Sequence, residues 1–90
     1  MSKEIDEMMS WQNIVKCAKL KGVTAHLASH CKIQGQAFVN NMMHIVLDCD
    51  KEGEFLVTES NFYKLKTALE HYFGEKIGLG ILVSKEQRLH

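Results

Sequence analysis

The 90-residue sequence contains no proline and only 3 cysteines. The lack of proline does not by itself identify a function. Cys17, Cys31 and Cys49 are odd in number and form no CxxC pair, which argues against both a disulfide framework and a structural zinc site. We expect all three thiols to be reduced, with Cys31 and Cys49 serving as small hydrophobic residues on strands.

Excess charge and long apolar runs are also missing. The 11 basic and 11 acidic residues balance, so the molecule as a whole offers no general attraction to nucleic acid or anionic lipid. No apolar run approaches the ~20 residues of a membrane helix, and the amino terminus lacks the order of a signal peptide. We expect a soluble, cytoplasmic protein that does not contact a membrane.

Motifs of catalytic sites are absent too. The sequence has no GxSxG, P-loop or GxGxxG motif. The acidic run of Asp48, Asp50, Glu52 and Glu54 is typical of a solvated turn rather than of an acid/base pair. A domain of this length also struggles to enclose a pocket of about 300 Å³. We therefore expect no enzymatic activity, no catalytic residue and no cofactor.

Histidine is comparatively frequent, and two of the five histidines have a spacing that suits metal binding. His26 and His30 are separated by one helical turn, as in many ligand pairs. The Glu of an HExxH motif is missing, and a third ligand is not evident. We expect no metal site, and a small metal-dependent regulator built on this pair remains the third of the functional hypotheses.

Three helices are predicted from apolar periodicity and end signals. Ser10 is a suitable N-cap for a helix over residues 11–19, and after a break at Gly22 a second helix covers residues 23–30. Thr58 begins a longer helix that Gly74 ends. The apolar face of this long helix is expected to be buried, and consists of Phe62, Leu65, Leu69, Tyr72 and Phe73.

Residues 31–38, 43–49 and 77–83 alternate as strands do, and Asn40-Asn41 suits a hairpin turn between the first two. In the first strand, we expect Cys31, Ile33, Gly35 and Ala37 on one face and Phe38 on the other. The order helix-helix-strand-strand-helix-strand predicts an α+β fold, with a three-stranded sheet covered on one face by helices. We expect one interaction domain over residues 10–83, a flexible leader or linker remnant over 1–9 and a flexible tail over 84–90.

The uncovered face of this sheet is predicted to bind a partner. Gly78 and Gly80 share a face of the last strand with Leu82, and strand glycines often mark a close approach by another group. Phe38, Met42 and Val46 are expected to make the same side apolar. A protein-interaction face is the hypothesis that this pattern favours.

The element order also suits a nucleic-acid-binding KH-like module. Such modules clamp the backbone in a GXXG loop, which this sequence lacks. A basic patch is available in Lys16, Lys19, Lys21 and Lys32, but no aromatic residue is interleaved with these lysines for base stacking. An RNA- or single-stranded-DNA-binding module using these lysines is the second hypothesis.

Several segments between Trp11 and Val83 together resemble a known family. They comprise Leu20-Lys21-Gly22-Val23, Leu27-Ala28, His44-Ile45-Val46-Leu47-Asp48 and His71-Tyr72-Phe73-Gly74-Glu75-Lys76-Ile77, followed by Leu79, Ile81 and Val83. In this order and at these spacings, they resemble the C-terminal domain of the tau subunit of bacterial DNA polymerase III, a clamp-loader component.

The resemblance implies a KH-like fold without the clamping loop and a noncatalytic role in DNA replication. Members of the family bind the polymerase (alpha) subunit, which keeps polymerase and clamp loader together. Binding to this protein partner is our first hypothesis, and it requires no direct contact with nucleic acid. We expect the interface to use the open sheet face, the turn over residues 39–43 and the tail, with candidate residues Phe38, Met42, Met43, Val46, Leu82, Lys85, Arg88 and Leu89.

Overall fold

The computed structural model describes residues 10–84 of the chain. The elements, in order, are α1 (Ser10–Cys17), α2 (Gly22–Ser29), β1 (Cys31–Val39), β2 (Met42–Cys49), a 3-10 helix (Lys51–Leu56), α3 (Glu59–Phe73) and β3 (Ile77–Val83). This order confirms the predicted α+β class. Residues 1–9 and 85–90, predicted to be a leader and part of a tail, lie outside the described residues.

The three strands form one mixed sheet with β2 in the centre. β1 pairs with β2 in antiparallel fashion through a turn at Asn40 and Asn41, which both adopt positive φ. β3 pairs with β2 in parallel fashion, so the chain crosses over through α3 to reach the sheet again. The sheet is therefore built around β2.

The ends of α3 are fixed by local hydrogen bonds. Thr58 accepts a hydrogen bond from the Asn61 backbone N–H at 3.1 Å, and Gly74 adopts the left-handed conformation at φ 77 that ends the helix. Glu70 Oε2 accepts hydrogen bonds from Lys66 Nζ at 2.9 Å and from the Ile77 N–H at 3.1 Å. The second bond ties the last turn of α3 to the start of β3.

The three helices cover one face of the sheet. Their buried side chains meet the inward side chains of β2 and the first residue of β3 in a single cluster, which includes Trp11, Ile14, Leu27, Ala28, Leu65 and Leu69 from the helices and Met43, Ile45, Leu47, Cys49 and Ile77 from the strands. The predicted apolar face of α3 is only partly correct, because Tyr72 is 41% exposed and Phe62 and Phe73 are half-buried.

Every helix within residues 10–84 is too short or too polar to cross a lipid bilayer.

A β-bulge in β1 corrects the predicted alternation of this strand. Ile33 pairs with Leu47, but the next paired residue, Gly35, faces Val46. The extra residue, Gln34, shifts the phase of the strand. Beyond the bulge, Phe38 is paired with Met43 on the helical side of the sheet, and not on the open side where it was predicted.

The segment after β2 is more ordered than the solvated turn predicted for it. Asp50 precedes the 3-10 helix, and its side chain accepts a hydrogen bond from the Gly53 N–H at 2.8 Å. Leu56 is buried by this helix, whereas Phe55 is exposed. Of the two neighbouring apolar residues at the end of this helix, only Leu56 therefore contributes to the core.

Candidate functional site

One face of the sheet has no helix of residues 10–84 packed against it, and we call it the open sheet face. Paired residues of neighbouring strands project to the same side of a sheet, so the register defines this face. It carries Lys32, Gly35, Ala37 and Val39 from β1, Met42, His44, Val46 and Asp48 from β2, and Gly78, Gly80 and Leu82 from β3.

The centre of the open sheet face has a notch on each side of Val46. Gly35 and Gly80 are the partners of Val46 on the two flanking strands. A Cβ built on either glycine would meet no heavy atom within 4 Å. Leu82, which is 50% exposed, lies next to Gly80 along β3, and Val39, which is 49% exposed, lies on the same face at the turn end of β1. The surface can therefore accept protruding side chains of a partner.

The neighbouring glycine, Gly78, is different. The His44 ring lies over it, and a Cβ at Gly78 would stand 2.7 Å from His44 Cε1. The close approach expected at the two strand glycines is therefore internal at Gly78, and the space is open only at Gly80. Strand glycines alone could not distinguish these two cases.

The predicted partner-binding residues do not form one surface. Met42, Val46 and Leu82 lie together on the open sheet face. Met43 is only 8% exposed and belongs to the core, while Phe38 is 72% exposed on the other side of the sheet. The remaining three predicted residues, Lys85, Arg88 and Leu89, lie outside the described residues.

A polar cluster occupies one end of the β1–β2 ladder. His30 Nδ1 lies 3.0 and 3.1 Å from the two carboxylate oxygens of Asp50, and the Asp50 backbone N–H donates to the His30 carbonyl at 3.0 Å. The pKa of the Asp50 carboxyl is lowered, chiefly by the hydrogen bond from His30 and further by the Gly53 N–H. A hydrogen-bonded pair of His30 and Asp50 is thus present, which the sequence did not indicate.

The packing around this pair explains it as a structural element. A Cβ on Gly53 would stand 2.5 Å from His30 Cβ, so the 3-10 helix packs closely on the end of α2. Asp50 caps that helix while it holds His30. The pair therefore joins the end of α2, the end of β2 and the start of the 3-10 helix. A small pocket of ≈ 270 Å³ beside the pair is lined mostly by polar side chains.

The two histidines with ligand spacing do lie together. The ring centroids of His26 and His30 are 5.3 Å apart. Within residues 10–84, however, no group of three or more His, Cys, Asp or Glu side chains is arranged to hold a metal ion. The Nδ1 atom of His30 is hydrogen-bonded to Asp50 instead.

A second concave surface lies between the end of α1 and one side of α3, and we call it the helix groove. Its volume is ≈ 680 Å³, and it is lined by Cys17, Lys19, Tyr63, Lys64, His71 and Tyr72 together with the smaller Ala18, Thr67 and Ala68. No carboxylate is among these nine lining residues. Basic and aromatic side chains are therefore combined here, and this combination was not predicted from the sequence.

Lys19 belonged to the predicted basic patch, but its aromatic neighbours come from a distant segment. Tyr63 and Tyr72 lie more than forty residues further along the chain, and only the packing of α3 beside α1 brings them to Lys19. A signal was available in α3 itself, since Tyr63, Thr67 and His71 recur every four residues on one side of the helix.

Comparisons of the chain with protein-family models, curated proteins and solved structures find no match.

Proposed function

We propose that this chain is a noncatalytic interaction domain of a bacterial DNA polymerase III tau subunit, acting in the cytoplasm. In this role, it binds the polymerase (alpha) subunit and so couples the polymerase to the clamp loader during DNA replication. The sequence resemblance between Trp11 and Val83 suggests the partner. The open sheet face supplies a surface suited to a protein.

The observation that carries this proposal is the pair of notches beside Val46. Gly35 and Gly80 leave space above the sheet, and Leu82 exposes apolar surface next to Gly80 on the same face. An apolar patch with recesses favours a protein partner because inserted side chains gain buried area and close packing. Met42 adds a flexible side chain that adapts to the shape of a partner.

The charges at this face agree with a mainly apolar interface. Lys32 pairs across the ladder with Asp48, which places opposite charges next to each other. The open sheet face therefore has no excess of positive charge for phosphate groups. Polymerase binding at this face is expected to change little between about 50 and 200 mM salt, in contrast to the steep loss typical of phosphate contacts.

Calorimetric titration of the 90-residue chain with the purified polymerase subunit tests the proposal. We expect association, and we expect Leu82→Asp to weaken it by about tenfold or more, because a charge buried at an interface costs at least ~1.4 kcal/mol. The matched control is Phe55→Asp, which places the same charge on an exposed apolar residue of the 3-10 helix.

Two results contradict the proposal. One is the absence of association between the unaltered chain and the polymerase subunit. The other is an equal loss of affinity in Leu82→Asp and Phe55→Asp, because this would show that the position of the charge does not matter. A third chain without residues 85–90 measures how much the predicted tail residues Lys85, Arg88 and Leu89 add to binding.

A further inference from the structure

The helix groove has the charge of a site for an anionic ligand. Lys19 and Lys64 both line it, with His71 between the two tyrosines along α3. Neither lysine forms an ion pair with another of residues 10–84, and the same part of the chain places no Asp or Glu in the lining. Because the whole chain has zero net charge, this local excess of positive charge is a distinct feature of the surface.

The two tyrosines of the groove suit a ligand that also carries a flat aromatic or apolar group. Tyr63 is 67% exposed, although an aromatic ring of this size normally gains from burial. The Tyr72 ring is held edge-on against Phe73, with centroids 5.0 Å apart at 77°, and Phe73 packs against the core. Phe73 therefore holds Tyr72 in place, and Tyr72 gives the groove a fixed aromatic wall beside the exposed ring of Tyr63.

Lys19 occupies its position at a conformational cost. Its φ is 56, in the left-handed region that glycine and asparagine adopt more easily. Lys19 follows the end of α1 at Cys17, and its N–H donates a hydrogen bond to the Lys16 carbonyl at 3.2 Å. A glycine here would satisfy the backbone better, so folding alone does not explain the lysine.

We propose that the helix groove binds a nucleotidyl group, with the base stacked on the exposed ring of Tyr63 and the phosphate held by Lys19 and Lys64. Stacking on an exposed aromatic ring and neutralisation of the backbone by lysine are the two interactions that bind single-stranded nucleic acid without sequence preference. A free nucleotide offers the same chemistry on a smaller scale. This site lies in the helical layer, so it is separate from the open sheet face and from polymerase binding.

Fluorescence anisotropy tests the proposal with a labelled oligothymidylate of about ten nucleotides, titrated with the 90-residue chain at low salt. We expect the affinity to fall with salt with a slope of about −1.4 on logarithmic axes, the value for two phosphate contacts to a single strand. Competition by a mononucleotide separates the two sources of the ligand. Binding of either the free nucleotide or the strand at this groove supports the proposal, and the relative affinities of the two show which ligand the groove prefers.

Two variants remove one interaction each without disturbing the core. Lys19→Gly removes a charge and suits the left-handed backbone, so we expect an unchanged or higher melting temperature, weaker binding and a salt slope of about −0.7. Tyr63→Ala removes a stacking ring that is already exposed, and we expect about a 5- to 150-fold loss of affinity. The matched controls are Lys32→Ala on the open sheet face and Phe55→Ala on the 3-10 helix, which should bind like the unaltered chain.

The proposal is overturned if the oligonucleotide does not bind at low salt, or if the controls lose as much affinity as Lys19→Gly and Tyr63→Ala. It is also overturned if a labelled polyglutamate peptide binds through Lys19 and the oligonucleotide does not, because the site would then recognise acidic proteins. Polymerase binding should be the same in Lys19→Gly as in the unaltered chain, so a failure of the groove and a failure of the open sheet face are distinguishable.

Discussion

The imidazole of His44 lies directly over the backbone of Gly78, on the neighbouring parallel strand. A methyl group at Gly78 would come within 2.7 Å of His44 Cε1 and even closer to Nδ1, whereas a methyl group at Gly80 would meet no heavy atom within 4 Å. Two glycines of the same strand face thus differ in their tolerance of a side chain, and the difference is set by a residue on another strand.

Gly78→Ala is therefore expected to lower the free energy of unfolding by about 1–3 kcal/mol, because the ring must leave its position. Gly80→Ala is the control and should be nearly neutral. Urea denaturation of both variants gives the comparison. In the double variant His44→Ala with Gly78→Ala, the cost of the added methyl group should largely disappear, since the ring that it strikes is gone. An undiminished cost would mean that the strain lies in the backbone.

The sequence was sufficient to predict the element order and the faces of β2 and β3. In β2, Met43, Ile45, Leu47 and Cys49 alternate without interruption and are all buried, so simple periodicity gives the right answer. The same reasoning failed in β1 because a bulge at Gln34 changes the phase. Gly35 was the available signal, since an isolated glycine within a strand often accompanies a bulge.

The sites were less predictable than the fold because they depend on pairs of residues that are distant in sequence. The notches beside Val46 require the register of both flanking strands, and the helix groove requires α3 to lie beside the end of α1. Neither relationship follows from local spacing. Tyr72 is an example. Its spacing from Leu65 and Leu69 predicts that it lies on the buried face of α3, but its ring lines the helix groove.

Trp11 fixes α1 to the last turn of α2. Its indole Nε1–H donates a hydrogen bond to the Ala28 carbonyl at 3.1 Å, and the ring itself is buried. Trp11→Phe keeps an apolar ring but removes the donor and part of the volume, so we expect a loss of about 1–3 kcal/mol in the free energy of unfolding. Urea denaturation followed by circular dichroism measures this loss. A change below about 0.5 kcal/mol would indicate that water replaces the indole N–H.

The Asp50 carboxylate contributes stability that depends on pH. Its pKa is lowered in the folded chain, first by the hydrogen bond from His30 and then by the Gly53 N–H, so its contribution is full above the ordinary carboxyl pKa of about 4 and is lost as the pH falls through the lowered value. Carbon-detected NMR titration should show a rise of the Asp50 pKa in His30→Ala. The Glu70 carboxyl, whose pKa is lowered chiefly by Lys66, is the internal control and should not move. An unchanged Asp50 pKa would contradict the assigned cause.

Cys31 and Cys49 are directly opposite each other in the β1–β2 ladder. The adjacent pair, His30 and Asp50, shares a backbone hydrogen bond, so the two cysteines form a pair without backbone hydrogen bonds, in which side chains approach most closely. Burial, followed by the neighbouring Cys49, raises the pKa of Cys31 to about 12. Burial also raises the pKa of Cys49.

Because the thiolate is the reactive form, this pair should react slowly near neutral pH even though its two thiols are neighbours. Cys17 is exposed and should react alone with a colorimetric disulfide reagent in the native chain, while all 3 cysteines should react in denaturant. In Cys17→Ser, the fast phase should vanish. Rapid reaction of the buried pair in that variant would instead show that the helical layer covering the two thiols opens on the timescale of the assay, because both thiols are buried beneath that layer in the folded chain.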